Sequence, residues 1–515
     1  MQASCLNPWG RRVVFVMLFF LSAQSSPAAD WPQYRGPNHD GISPEIIRTN
    51  WTAQPPQQLW KVPLGAGLSS LTIKDGRVFT MERHGNTSTG REFCVALNAG
   101  TGAQLWETDV DLADYPDGGV WSGSGPNDDG PRSTPTVDGD RVYALGSYLN
   151  LVCLNVTNGA VIWSRNLMSE YASGIVSWQS AGSPLVVGDL VYVAAATSVD
   201  RLFAFNKHTG ALAWRKHNDT MTQASPVFAT IAGVPQVIFF TQSGLVSVKP
   251  DTGDQLWRYL LPPDAFSTST ASSAVVAGNL VYCSAAYGVG AGVVGVTNNA
   301  GTLTATQVWR TQGSRQNHWA TPIFHDGHFY GVYGHGSLSV QSIDAQSGTI
   351  KWQQAGVGYG SVLKVGRHLV VLEDDGWVVL VRLSPEAPYR EIDRFRALVG
   401  KCWNNAAVSD GVLYVRSTLE AAAYVVAAPR VELSSTVGTI TPQGFELSLV
   451  SDDGQPIGVE RAAGIAVYHS DNPANPLANW SRLQQPFVTS GNGLKINDPG
   501  VTGAAQRFYR AEETP

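Results

Sequence analysis

The chain has 515 residues, of which 43% are apolar and 15% charged, and its formal net charge at pH 7 is −6. Such an apolar fraction excludes a largely disordered chain, and a mildly acidic protein is a poor nucleic-acid binder. The abundant glycine and aromatic residues, 53 Gly, 16 Trp and 17 Tyr, suit many short strands joined by tight turns.

The first segment is typical of a secretory signal. Two arginines precede an apolar run at residues 13–21, and two alanines follow near position 29. The run is too short for a membrane span. Cys5 lies before the run and not at the cleavage site, which does not support a lipid anchor. We expect an exported protein, periplasmic or extracellular, in which residues 1–29 are the signal and residues 30–55 an N-terminal extension, with no transmembrane segment in the mature chain.

A repeated motif follows, in which a Thr-Gly or similar turn stands four residues before a tryptophan. It ends at Trp106, Trp163, Trp214, Trp257 and Trp352. Self-similarity at a period of roughly 40 to 60 residues indicates one supersecondary unit used many times, as in a propeller of four-stranded blades. The tryptophans are interpreted as wedges between blades, each with its indole N–H on a carbonyl.

Each unit also has an upstream half, a strand, a Gly-centred turn and a second strand. Eight such halves begin near Ser69, Ser133, Ser183, Ser225, Ser273, Thr321, Gly360 and Asn405. The eighth unit lacks a tryptophan strand, and QQLWKVPLG around Trp60 supplies one from the other end of the chain. Pairing the two closes a ring and removes exposed edges. The prediction is an all-β protein, an eight-bladed propeller of four-stranded antiparallel blades over residues 56–430.

Two units depart from the pattern. The fifth has a longer turn before Trp309, and the seventh has Phe395 where tryptophan is expected. After the signal, four cysteines lie in four different units, where a free thiol behaves as a small buried apolar group. Unpaired core cysteines are the favoured interpretation, and disulfides the alternative.

The motif A-x-D/N-x-x-T-G-x-x-x-W resembles the blades of pyrroloquinoline-quinone-like (PQQ-like) propellers. Asn98, Asn155, Asn206 and Asp344 match its polar position, and Lys249 departs from it. Residues 31–43, WPQYRGPNHDGIS, look like the opening of secreted bacterial members. The resemblance implies the fold, and its relatives include both BamB-like outer-membrane assembly factors and quinoprotein alcohol dehydrogenases.

The dehydrogenases of this family have a vicinal Cys-Cys ring and a calcium ion beside the quinone, and some have an attached haem. This chain has no adjacent cysteines and no C-x-x-C-H. It also has no G-x-S-x-G and no H-E-x-x-H. Four histidines, His318, His325, His328 and His335, are expected on different faces of their strands, unsuited to one metal ion. PQQ with calcium remains a possible cofactor, although none is firmly implied.

The segments that enter the innermost strands converge on the axial funnel of a propeller, and here they are rich in aromatic and polar residues. The candidate funnel-lining or cofactor-binding residues are Arg132, Trp178, His318, Trp319, Tyr359, Trp403 and Asn404. Aromatic walls with a few polar groups suit a small-molecule or peptide site. Equally, these residues could close the channel and cap strand ends. No catalytic residue is assigned.

An acidic insertion at residues 109–132, DVDLADYPDGGVWSGSGPNDDGPR, is the longest loop between units. Its N-D-D-G sequence includes Asp128 and Asp129, weak candidates for a calcium site because the full alternating ligand pattern is missing. A solvated acidic loop is the alternative.

Repeat motifs end near Arg430, and residues 431–515 are predicted to form a small β-sandwich-like module. Its expected core includes Phe445, Val467, Tyr468, Trp480 and Phe508. The sequence thus favours an exported, monomeric, non-catalytic binding or scaffolding propeller, with a protein or small-molecule ligand in the axial funnel. The alternative is a quinone-dependent alcohol or sugar dehydrogenase.

Overall fold

The computed structural model describes residues 15–16, 30–86, 89–115, 130–261, 270–312, 316–385, 388–429, 431–433, 439–452, 454–503 and 506–513. The chain divides into two compact units, each of which is described by itself below. One unit comprises Ala28–Ile47 and Trp51–Val426, and the other comprises Met1–Pro27, Arg48–Asn50 and Ala427–Pro515. Most of residues 1–29, the segment predicted as a signal, lies outside the described residues. No helix among the described residues is long and apolar enough to cross a membrane.

The larger unit is a β-propeller whose described residues form eight antiparallel sheets, here called blades 1 to 8. Each of blades 1 to 7 is a meander of four consecutive strands, from the innermost to the outermost. Blade 1 consists of Thr72–Lys74, Arg77–His84, Gly90–Asn98 and Gln104–Ala113, and blade 2 of Thr136–Asp138, Arg141–Leu145, Asn150–Asn155 and Val161–Asn166. Blade 3 consists of Leu185–Val187, Leu190–Ala194, Leu202–Asn206 and Leu212–Lys216, blade 4 of Val227–Ile231, Val234–Thr241, Gly244–Val248 and Gln255–Leu260, and blade 5 of Val275–Ala277, Leu280–Ala285, Gly290–Asn299 and Thr302–Thr311. Blade 6 consists of Ile323–His325, His328–His335, Ser337–Asp344 and Ile350–Ala355, and blade 7 of Ser361–Val365, His368–Leu372, Trp377–Arg382 and Glu391–Arg396. A short helix, Leu167–Tyr171, follows blade 2.

Blade 8 joins the two ends of the propeller sequence. Its three inner strands are Ala407–Ser409, Val412–Arg416 and Glu420–Val425, and its outer strand is Gln57–Pro63. Gln57–Pro63 runs antiparallel to Glu420–Val425, with Trp60 opposite Ala423. The predicted ring closure is confirmed.

The motif that recurs in the sequence connects neighbouring blades. In blade 3, Asn206 Oδ1 accepts hydrogen bonds from the backbone N–H groups of His208 and Thr209, which fixes the tight turn. Gly210 follows with φ +68°, and a Cβ there would lie 2.7 Å from the Trp163 ring of blade 2. The Trp163 indole N–H donates to the Lys207 carbonyl of the same turn, at 3.0 Å. The tight turn of blade 3 therefore receives the tryptophan of the preceding blade.

The same indole-to-carbonyl bond recurs elsewhere, as the sequence predicts. It joins Trp60 to Ala99, Trp106 to Val156, Trp214 to Pro250, Trp309 to Ala345 and Trp352 to Ser384. The two exceptions to this indole-to-carbonyl bond involve the two irregular units, blades 5 and 7. Trp257 donates to Gln236 Oε1 of its own blade, since blade 5 has a long hairpin in place of the tight turn. Phe395 packs edge-to-face against Trp51, with ring centroids 5.2 Å apart.

Hydroxyl groups connect the blades around the axis, at the start of the innermost strands. One blade offers a backbone N–H and the next offers a side-chain oxygen, at 2.8–3.0 Å. The pairs are Ser70 to Thr134, Thr134 to Ser183, Ser183 to Ser225, Ser225 to Ser273 and Ser273 to Thr321. The Asn405 N–H donates to Ser70 Oγ and continues the series from blade 8 to blade 1.

The segment at residues 30–43, expected as an extension, packs against innermost strands of several blades. Trp31 exchanges backbone hydrogen bonds with Ile73 of blade 1, and the Pro32 carbonyl accepts from Val137 of blade 2. The buried Arg35 guanidinium donates to carbonyls just before the innermost strand of blade 6. Ile42–Ser43 pairs in parallel with blade 7. One segment thus bonds to four blades across the ring.

The four cysteines of the propeller are unpaired and buried, which confirms the favoured interpretation. They are Cys94, Cys153, Cys283 and Cys402.

The smaller unit has two sheets. The first contains Val431–Leu433, Thr439–Thr441, Gly444–Ser451, Val488–Ser490 and Gly493–Asp498, and the second contains Ile465–Ser470, Ser481–Arg482 and Gln506–Glu513, with Phe15–Val16 paired in parallel to the last. A short helix, Val459–Ala462, and 3-10 turns at Leu477–Asn479 and Pro499–Gly503 complete the unit.

The expected core of this unit is partly wrong. Phe445 and Val467 lie in its hydrophobic cluster, and Phe508 is buried. Tyr468 and Trp480 are only half-buried. Tyr468 follows the inward-facing Val467 and so points to the other face of its strand, as strand alternation requires. Trp480 comes directly after a 3-10 turn and donates its indole N–H to the Asn475 carbonyl.

Candidate functional site

Aromatic side chains from several blades meet where the chain enters the innermost strands. Trp319 of blade 6 lies between Tyr359 of blade 7 and Trp403 of blade 8, with ring centroids 4.7 and 4.2 Å away. His318 contacts Trp319 at 4.1 Å and His335 at 5.1 Å. These rings are half-buried. They form the centre of a surface that we call the aromatic face.

The aromatic face continues to blades 5, 3 and 2. Tyr287 of blade 5 lies 4.6 Å from His335 and 5.2 Å from His318, and Trp178 of blade 3 stacks parallel to it at 6.4 Å. The Trp178 carbonyl accepts a hydrogen bond from Arg132 Nη1, at 2.9 Å. The aromatic face therefore comprises Arg132, Trp178, Tyr287, His318, Trp319, His335, Tyr359, Lys401 and Trp403.

The backbone is strained where the aromatic face turns from blade 3 to blade 5. Trp178 and Gln179 are consecutive residues in the left-handed region, with φ +62° and +59°, and Tyr287 has φ +56°. Non-glycine residues avoid this region, and such strain concentrates at functional sites. The Gln223 side-chain amide holds the first turn through the carbonyls of Trp178 and Gln179, each at 3.3 Å.

Buried amides adjoin two of these tryptophans in sequence. Gln179 and Asn404 are 0% and 2% exposed, and the side-chain N and O atoms of both lack a hydrogen-bond partner among the described residues. The Asn404 carbonyl accepts from Ser361 Oγ, so its backbone lies at the axial hydroxyl series. Buried amides usually form hydrogen bonds, and their unused capacity here coincides with the aromatic face.

Two cations lie against aromatic rings at the aromatic face, and one of its imidazoles is neutral. Lys401 Nζ lies 4.3 Å from the Trp403 ring centroid, a cation–π distance, and Arg132 lies over Tyr115. Burial, together with the nearby His335, lowers the pKa of His318 to about 3. His318 is thus uncharged at neutral pH and contributes an apolar ring edge with polar nitrogens.

The structure brings most of the candidate residues together. His318, Trp319, Tyr359 and Trp403 share one cluster, Trp178 joins it through Tyr287, and Asn404 lies beside it in sequence. Their role in binding stays a prediction.

Sequence reasoning missed Tyr287, His335 and Lys401. Tyr287 and His335 lie at turns between second and third strands, which open at the same end of a blade as the segments entering the innermost strands. This topology also corrects the expectation that the four histidines lie apart, because His318 and His335 are in contact. His325 and His328 flank a turn at the opposite end of blade 6.

The described part of the acidic insertion is bound to protein donors. Asp109 forms a bidentate ion pair with Arg91. The carboxylate of Asp111 accepts from the N–H groups of Tyr148 and Asn150. The weak calcium candidates, Asp128 and Asp129, lie outside the described residues.

Next to this loop, Glu92 is a fully buried carboxyl group. It accepts hydrogen bonds from the Tyr115 hydroxyl and from the Ser147 backbone N–H and hydroxyl. Burial, with a smaller contribution from Asp111, raises the pKa of Glu92 to about 7. This group titrates near neutrality although no solvent reaches it.

The residues of the aromatic face do not fit a quinone–calcium site of the dehydrogenase type. Cys402, the cysteine adjacent in sequence to Trp403, is unpaired, and burial raises its pKa to about 12. Calcium takes six to eight oxygen ligands. In the part of the chain that the structure describes, the one set of three clustered His, Cys, Asp or Glu ligands lies elsewhere, on blade 1.

Comparison with known proteins places this geometry in a family. A family model described as "Outer membrane protein assembly factor BamB" matches residues 49–170 and 91–354, together more than half of the chain. Outer membrane protein assembly factor BamB of Yersinia pestis is 25% identical over 291 residues, which cover 51% of this chain and 69% of that protein. The Shewanella oneidensis protein of the same name is 23% identical over 268 residues, covering 49% and 65%.

Solved structures share the fold. BamB from Moraxella catarrhalis aligns with a TM-score of 0.50 and 15% identity, covering 72% of this chain and 97% of that one. Quinohemoprotein alcohol dehydrogenase from Comamonas testosteroni aligns with a TM-score of 0.55 and 13% identity, covering 79% and 83%. At these identities the likeness shows the fold alone.

Proposed function

Since this chain belongs to the family of PQQ-like propellers described as outer membrane protein assembly factor BamB, we propose that it is an exported, non-catalytic binding and scaffolding protein. Its partner is a protein that docks on the aromatic face. In this proposal the chain works outside the cytoplasm, in line with the signal segment predicted at residues 1–29.

The observation that carries the proposal is the aromatic face itself. Half-buried tryptophan and tyrosine rings from separate blades are the residue types that dominate binding energy at protein interfaces. These rings pack against one another, which limits the side-chain entropy lost on binding.

A dehydrogenase function lacks a comparable observation. The likeness to the quinohemoprotein enzyme is one of fold, and the free, separated cysteines do not form the vicinal ring. The side chains of the aromatic face offer stacking and hydrogen bonding, and among the described residues they include no group of three clustered His, Cys, Asp or Glu ligands.

Photo-crosslinking in the native host tests the proposal. A photoreactive amino acid at position 403 should yield a protein adduct, and the Trp319→Ala exchange in the same chain should reduce its yield at least about tenfold, since an interface hot spot contributes 2 kcal/mol or more. Position 212, exposed on the outer strand of blade 3, is the matched control. Equal adducts at positions 403 and 212, or none at 403, would contradict docking on the aromatic face.

A further inference from the structure

A second cluster of polar side chains lies on blade 1, apart from the aromatic face. His84 Nε2 is 2.7 Å from Glu82 Oε1 and 3.9 Å from Glu107 Oε2. The three potential ligand atoms lie within 4.8 Å of one another. Glu82 and His84 are two residues apart on one strand and therefore share a face, and Glu107 reaches the same face from the outer strand.

Each of the three side chains is oriented by a further contact. The second carboxylate oxygen of Glu82 accepts from the Gly65 backbone N–H at 2.7 Å. Glu107 Oε2 accepts from the Gln104 side-chain amide at 3.1 Å. The His84 ring stacks on Phe93, with centroids 4.4 Å apart. Outer contacts of this kind fix the direction of metal ligands in known sites.

Charge and exposure also suit a divalent cation. The cluster has two carboxyl groups, and the hydrogen bonds of the nearby buried Arg416 go to Thr80, Met81, Gly65 and Ser417 and not to these carboxyl groups. The neighbouring Arg91 is engaged by Asp109. The side chain of Glu82 is 6% exposed, whereas those of His84 and Glu107 are 42% and 40% exposed, which leaves a path for an ion.

We propose that Glu82, His84 and Glu107 bind a divalent transition metal ion, with zinc the best match. One imidazole and two carboxylates fill three positions of a tetrahedral site, and water fills the fourth. In such a site ligand atoms lie about 3.4 Å apart, given metal–ligand distances near 2.1 Å. On metal binding, the distance from His84 Nε2 to Glu82 Oε1 lengthens and the distance from His84 Nε2 to Glu107 Oε2 shortens, through rotation of the exposed side chains.

The imidazole binds through Nε2 in its neutral form. In the metal-free protein His84 Nε2 shares a hydrogen bond with Glu82 Oε1, and on metal binding the single proton of the neutral ring would sit on Nδ1, which leaves the Nε2 lone pair for the ion. Calcium, which needs more oxygen ligands, should compete poorly.

Zinc titration of the chelator-stripped full chain, followed by calorimetry and X-ray absorption, tests the site. We expect one equivalent of zinc with one nitrogen and two or more oxygen ligands. His84→Ala and Glu107→Gln should each weaken zinc binding by at least about 100-fold. Loss of an outer contact to a metal ligand weakens binding by up to about 100-fold, and loss of the ligand itself should weaken it at least as much. Both residues are half-exposed, so the variants should fold.

His208→Ala is the matched control, because His208 is an exposed histidine near Asp189 outside any three-ligand cluster of the described residues. It should keep the affinity of the unmodified chain. Absence of stoichiometric binding, or equal affinity in His84→Ala and in the unmodified chain, would overturn the proposal.

Discussion

At the scale of single residues, the repeat motif is explained by contacts between blades. The polar residue fixes the turn, the glycine takes a positive φ under the tryptophan of the preceding blade, and that tryptophan donates to a carbonyl of the turn. The polar residue, the glycine and the tryptophan of the motif thus all serve one contact between neighbouring blades. The motif spacing was visible in the sequence because the contact requires the polar residue, the glycine and the tryptophan at the same time.

Gly210 tests this contact. Gly210→Ala places a Cβ 2.7 Å from the Trp163 ring at φ +68°, and should lower the free energy of unfolding by about 2 to 4 kcal/mol through strain and displacement of the indole. Gly188→Ala is the control. Gly188 has φ +58° but open space around its Cβ, and should lose only about 1 kcal/mol. Similar losses in denaturant unfolding of the two variants would contradict the packing role.

Glu92 makes stability depend on pH. Its pKa rises from 4.5 to about 7 in the folded chain because of burial, so the folded state holds a proton more tightly than the unfolded state between these values. The stability it contributes is complete below pH 4.5 and is lost as pH rises through 7. Glu92→Gln should flatten the unfolding profile in this window. An unchanged slope in urea unfolding from pH 4.5 to 7.5 would argue against the buried carboxyl as its source.

At the scale of elements, the strand Gln57–Pro63 closes the ring, and the segment at residues 30–43 forms hydrogen bonds at the innermost strands of four blades. The first was predictable, since an orphan tryptophan strand and an incomplete blade match each other in the sequence. The second was not. The bonds of Arg35 go to backbone carbonyls of blade 6, and carbonyls leave no signature in side-chain patterns.

Trp60 anchors the strand that closes the ring. Trp60→Ala removes a buried ring and its hydrogen bond to Ala99, and should lower the free energy of unfolding by about 3 to 5 kcal/mol. Leu59→Ala, an outward-facing change in the same strand at 39% exposure, should lose less than about 1 kcal/mol. If thermal unfolding of the two variants coincides, closure at this strand does not stabilise the ring.

At the scale of the whole molecule, repetition made the propeller predictable, and the site was predictable only in part. Residues before innermost strands are equivalent in every unit, so Trp319 and Trp403 could be placed at one end of the ring. Tyr287 and His335 could not, because their turns vary in length and composition from blade to blade. The domain boundary near residue 430 stays a prediction.

The central claim is that this propeller binds without redox turnover. Its most direct test is to titrate the purified mature chain with PQQ and calcium and then to measure dye reduction with alcohols and sugars. We predict no saturable quinone binding and no dye reduction that depends on substrate, since the sequence has no adjacent cysteines and the described residues of the aromatic face include no group of three clustered His, Cys, Asp or Glu ligands. Saturable quinone binding with substrate-dependent dye reduction would contradict the claim.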